Sequence, residues 1–102
     1  MPIKIVAAVN EDGSGIVVNE NSNINNTTDM IGKKIATPGV SSIQQVLLLY
    51  QLEKYNITPS QVDISSVDIF MLPSTLASKK VDGYIAYLHK ITYPYTHYLT
   101  IF

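Results

Sequence analysis

The residues best suited to chemistry lie in one short join. Thr37-Pro38-Gly39-Val40-Ser41-Ser42 follows an apolar run and opens a long apolar segment. A strand that ends in glycine and serines and turns into a helix leaves backbone N–H groups unpaired. The positive end of the helix stands behind them, and hydroxyls are within reach. Thr37, Gly39, Val40, Ser41 and Ser42 are therefore the primary candidates for holding a polar or anionic group. The plainer alternative is that Ser41 caps the helix and Gly39 permits the turn. No Gly-Lys-Thr/Ser follows, so the join is not the phosphate loop of nucleotide enzymes.

A second candidate is Asn10 with Gly13-Ser14, where an amide side chain and an open backbone would meet a polar ligand group. Turn chemistry explains the same residues. Tyr84, Tyr87, Tyr93, Tyr95 and Tyr98 offer faces for stacking and hydroxyls for hydrogen bonds, or cover a sheet edge. His89 and His97 are eight apart in a segment without helical period, and no carboxylate follows Asp82. They form no recognisable metal or acid–base pattern. Glu11, Asp12, Asp63 and Asp68 read as turn and cap residues, and Lys33-Lys34 and Lys79-Lys80 as solvated charges beside buried strands.

Composition narrows the field further. With 102 residues the chain makes one domain, 1–102, around one core. Hydrophobic residues make up 46% and charged residues 15%, which argues against disorder. A net charge of -1 gives no electrostatic case for nucleic acid. All 7 basic residues are lysines, so no guanidinium fork is present. There is no cysteine, which excludes thiolate chemistry and Cys-ligated zinc. No apolar run approaches the roughly 20 residues of a membrane helix. The first ten residues do not read as a signal peptide, which would leave the chain cytoplasmic if it is complete.

The elements that must position these residues follow from periodicity and punctuation. Ile3 to Val9 and Ile16 to Val18 read as strands around the turn cluster Asn10–Gly15. Asn19 to Thr28 is a polar, asparagine-rich loop. Thr28 or Asp29 is expected to cap one helical turn ending at Gly32. Lys33 to Thr37 reads as a central strand. A helix follows from Ser41 or Ser42 to Tyr55-Asn56, with Ile43, Val46, Leu47 and Tyr50 on one side and Leu48, Leu49, Leu52 and Tyr55 on another. Only Gln44, Gln51 and Lys54 share a polar edge, so burial on more than one side is expected. Val62 to Val67 is a fourth strand. Ile69 to Ser78 is a second helix whose true start is near Leu72 because of Pro73. Asp82 to Tyr87 is a fifth strand, and the tail can supply a sixth. Strand, helix, strand, helix, strand from 33 to 87 makes two right-handed crossovers. The expected fold is a three-layer α/β lobe, a mostly parallel sheet with one antiparallel strand and helices on both faces.

The order "GSGIVV", polar loop, "DMIGKKIATPGVSS", long helix, "VDI" and "LASKKVDGYIAY" resembles the second lobe of type II periplasmic solute-binding proteins. It is most similar to the nitrate, taurine, aliphatic sulfonate and thiamine-precursor binding group, over residues 12 to 87. Tyr87, Leu88 and His89 stand where that group usually carries a tryptophan, a glutamate and a proline at the cleft edge. The resemblance implies a ligand-binding lobe of an ABC-transporter substrate-binding protein, without catalysis or cofactor. It implies a small anion or thiamine-precursor-like solute at Thr37, Gly39–Ser42, Asn10, Gly13 and Tyr87, and an extracytoplasmic location. The partners implied are a first lobe, which this sequence lacks, and an ABC permease. Cut from that lobe, the chain is expected to self-associate through end strands and cleft-side aromatics. The rival readings are a fragment of a thiamine-pyrimidine-synthase-like enzyme, against which the lack of cysteine counts, and a non-catalytic domain that self-associates.

Overall fold

The computed structural model describes residues 3–8, 14–39, 42–92 and 96–101. Six strands form one sheet: β1 (Ile3–Ala8), β2 (Ser14–Asn19), β3 (Lys34–Thr37), β4 (Asp63–Ser66), β5 (Gly83–Thr92) and β6 (Thr96–Ile101). Along the order β1-β2-β5-β3-β4, strands β1, β3, β4 and β5 point one way and β2 runs against them. The expected antiparallel strand is therefore β2, paired with β1 as a hairpin. β6 folds back along the far part of β5, from Tyr87 opposite Ile101 to Thr92 opposite Thr96.

Strand alternation splits the core into two layers. Ile16 and Val18 of β2, Ile35 of β3 and Ile85 of β5 face the helix α1 (Ile43–Lys54), where Leu48 and Leu52 are buried. Val17, Ala36, Tyr84 and Ala86 face the other way, onto Leu72 and Leu76 of α2 (Leu72–Ala77). Each one-residue step along a strand changes the helix it touches, which is how a sheet with helices on both faces is encoded.

The lower end of the sheet is held by specific bonds. The Lys34 N–H donates to Asp82 Oδ2 at 2.8 Å, and the Asp82 N–H donates to the Lys34 carbonyl at 2.7 Å. This reciprocal pair sets β3 against β5. Gly83 opens β5 because β2 passes too close for a side chain: a Cβ there would lie 2.9 Å from both the Val17 oxygen and Val18 Cγ1. The asparagine-rich loop is ordered by Asn26, whose Oδ1 accepts the Asp29 N–H at 3.0 Å and caps a 3-10 turn, Thr27–Met30. Asn26, rather than Thr28 or Asp29, is thus the cap.

Two expectations about α1 change. Gln51 leaves the polar edge and is buried, its Nε2 donating to Thr27 Oγ1 at 3.0 Å. Conversely, Ile43, Val46, Tyr50 and Tyr55 are exposed. The sheet and loop cover only one side of the helix, so the second apolar side has no cover among the described residues. The second helix begins at Leu72 after a 3-10 turn, Ile69–Met71, as Pro73 requires.

Candidate functional site

The site is defined first by topology. The chain leaves β3 toward the α1 face and returns as β4. It then leaves β4 toward the α2 face and crosses β3 to reach β5. Neighbouring parallel strands whose connections part to opposite faces leave a crevice outside their carboxyl ends, the usual ligand position in open α/β sheets. Here it lies beyond Thr37 and Ser66. Its floor is closed by the Val67 N–H, which donates to the Thr37 carbonyl at 2.9 Å.

Three of the candidates, Thr37, Gly39 and Ser42, are described at this crevice, around the helix start. Thr37 is completely buried, and its Oγ1 donates to Gln45 Oε1 at 2.7 Å. Ser42 is the cap of α1. Its Oγ accepts the Gln45 N–H at 3.2 Å and donates to the Gly39 carbonyl at 2.8 Å, while its own N–H donates to that carbonyl at 3.1 Å. Gly39 has φ of 154°, a region that side chains avoid, and nothing lies within 4 Å of a Cβ placed there. Glycine is needed at this position for its backbone rather than for space.

The serine hydroxyl is thus engaged as a cap, and the groups left for a ligand are backbone donors. The N–H groups of Ile43 and Gln44 have no acceptor among the described residues, as the first turn of any helix requires. Val40, Ser41, Asn10 and Gly13 lie outside the described residues. Tyr87 is placed by its backbone, directly opposite Ser14 at the same end of the sheet. Tyr84 does not line the crevice; it is buried against α2. His89 and His97 occupy the β5–β6 hairpin at different levels, opposite Leu99 and Ile91 respectively.

Gln44 and Gln45 are the residues that sequence reasoning passed over. Gln44 Oε1 is buried without a hydrogen-bond partner, and Gln45 reaches Thr37. A signal was present: Ser42 with glutamine three residues later matches the capping-box spacing. The Gln45 side chain turns to β3 instead of back to the cap. Around the rim, Ile43, Phe70 and Met71 are exposed by 65%, 79% and 54%.

With that geometry in place, comparison with known proteins decides the kinship. The profile of the NMT1/THI5-like family matches residues 1–96. The chain belongs to the NMT1/THI5-like family. Among solved structures, the periplasmic aliphatic sulphonate binding protein SsuA from Escherichia coli superposes with a TM-score of 0.70 at 20% identity. That match covers 83% of this chain and 30% of SsuA, so the chain spans under a third of that protein. No curated protein matches. This family member therefore has the fold of a type II periplasmic-binding-protein lobe, in agreement with the resemblance drawn from its motifs. No helix among the described residues is long and apolar enough to cross a membrane.

Proposed function

We propose that the chain is a ligand-binding lobe of an ABC-transporter solute-binding protein, equivalent to its second lobe and without chemistry of its own. The observation that carries this reading is the crevice beyond Thr37 and Ser66, where Ile43 and Gln44 present two N–H groups that have no acceptor among the described residues. Its solute is small and polar, an anion or a thiamine-precursor-like compound, and is contacted by the segment Gly39–Ser42 and the start of α1. Asn10, Gly13 and Tyr87 are the further contacts proposed. In the working protein a first lobe closes over this crevice and the closed pair delivers solute to an ABC permease outside the cytoplasm.

One lobe supplies only part of the contacts and leaves water in the site. Two to four hydrogen bonds set against the entropy of immobilising a ligand give an affinity no better than about millimolar. The test is titration of the 102-residue chain with sulfate, an alkyl sulfonate and a thiamine precursor, followed by amide NMR. The reading requires shifts centred on residues 38 to 45 with at least one solute. Shifts confined to other surfaces, such as the hollow of about 440 Å³ beside Leu49, Ile57 and Pro59 at the opposite end, overturn it.

A further inference from the structure

Independently of the crevice, we infer that the uncovered side of α1 is a docking surface for a second copy of this chain, which lays its own α1 antiparallel on the first. Along that side Ile43, Val46, Tyr50 and Glu53 are exposed. Steps of three, four and three residues keep them on one line, the a and d positions of a helix that packs on another helix. The opposite side, with Leu48, Gln51 and Leu52, is buried on the sheet and the asparagine-rich loop. Ile43 is 65% exposed, and Val46 and Tyr50 are 56% exposed. Three such side chains in one line are a contiguous patch rather than scattered surface residues.

The order of residues along this seam selects the occupant. A two-fold axis that sets Val46 opposite the partner's Tyr50 also sets Ile43 opposite the partner's Glu53, and repeats both contacts with the copies exchanged. A small branched side chain then meets a large aromatic one twice, the alternation that lets facing layers interdigitate. Charge decides the direction. In a parallel pair Glu53 would face the partner's Glu53, two like charges on one seam. In the antiparallel pair it stands beside the first turn of the partner helix, which carries no acidic residue of its own and is the positive end of the dipole.

Size sets the strength. The 12 residues of α1 make a rod about 18 Å long and about 10 Å wide. On one flank the seam adjoins the hollow of Leu49, Ile57 and Pro59, which Glu53 also lines, and this widens the apolar surface. Even so, the pair hides only a few hundred Å² on each copy, below the roughly 800 Å² per partner of a stable complex. The association is therefore weak and reversible, with a Kd of about 0.1–1 mM.

The test exploits a sequence without cysteine. Val46→Cys and Tyr50→Cys are prepared as two separate full-length chains, both changed at exposed positions. They are mixed in equal amounts at high concentration and oxidised slowly in a glutathione redox buffer. A disulfide needs Cα atoms about 4.4–6.8 Å apart, so the antiparallel seam should give the mixed product in about tenfold excess over either like product, against about twofold for random collision. Like products in excess mean a parallel pair, and a random mixture means no seam; either result overturns the proposal. In the cysteine-free chain, sedimentation equilibrium reads the same contact. Tyr50→Glu should leave only monomer at concentrations where the parent chain associates. Association that this change leaves intact lies elsewhere and overturns the proposal. Glu53→Gln removes the charge at constant length and should weaken association about two- to fivefold. Tightening instead would place Glu53 against its own copy and overturn the antiparallel direction. A parent chain that stays monomeric throughout overturns the proposal outright.

Discussion

The two ends of the sheet are built to different rules. At the amino ends of β3, β4 and β5, backbone and side-chain groups are paired across the strands. Asp82 clamps Lys34, the Gly32 N–H donates to the Gln61 carbonyl at 2.7 Å, and the Asp63 N–H donates to the Lys33 carbonyl at 2.9 Å. At the carboxyl ends, the N–H groups of Ile43 and Gln44 have no acceptor among the described residues, and Ile43, Phe70 and Met71 stand in solvent, while a buried glutamine oxygen without a partner occurs at each end, Gln44 here and Gln51 at the other. Buried polar groups normally find partners, and apolar surface normally finds cover. The first end looks optimised for stability. The second keeps free the groups that recognition needs.

The largest effect should come from testing the two glycines that mark these ends. Gly83→Ala pushes a methyl against the Val17 carbonyl, a backbone atom that cannot step aside without disturbing β2. A loss of about 1–3 kcal/mol is expected, read as a lower urea midpoint with unchanged slope. Gly39→Ala meets no neighbour and suffers only from its backbone angle, so about 1 kcal/mol is expected. If Gly39→Ala proves the more damaging, the carboxyl end is not the relaxed one.

A buried polar pair sharpens the comparison at the amino end. Gln51 and Thr27 bond to each other inside the core, yet Gln51 Oε1 has no partner. Gln51→Met strands the Thr27 hydroxyl and should cost about 1–2 kcal/mol. Adding Thr27→Val removes the stranded group and should return most of that loss. A double-mutant cycle by chemical denaturation checks the coupling; purely additive losses would mean the bond does not tie the loop to α1.

How much of this was legible depends on which force decided each element. The strands and crossovers from Lys34 to Tyr87 were readable because alternation, Gly83 and Pro73 act locally. The join between β3 and α1 was readable as a loop, because a glycine followed by serines marks the start of a helix. Gln51 was misplaced for a physical reason. Helical position puts it on the polar edge, but the loop that carries Thr27 folds over that edge, and only tertiary structure shows this. The same holds for Ile43, Val46 and Tyr50. Their apolar character announces burial, and no partner for them is found in the described part of the chain. Gln45 was missed because its bond to Thr37 crosses from helix to strand, which no sequence spacing records.

Those exposed residues give the smallest effect on stability and the most direct test of the contrast. Ile43, with Phe70 and Met71, forms the apolar rim at the carboxyl end, and the outer edge of β1 has no partner strand among the described residues. Exposed apolar surface and unpaired strand edges recruit other chains, so the isolated chain is expected to self-associate with rising concentration. Replacing Ile43 and Phe70 together by serine removes apolar rim without emptying the core, because both side chains are more than half exposed. Unfolding free energy should move by no more than about 0.5 kcal/mol. Sedimentation velocity should nevertheless show a smaller share of dimers and higher species than in the parent chain. If association persists unchanged in the double variant, the outer edge of β1 is the contact, and a proline placed in β1 should then suppress it. A parent chain that sediments as a monomer at high concentration would show that exposure at this end does not by itself recruit a second copy.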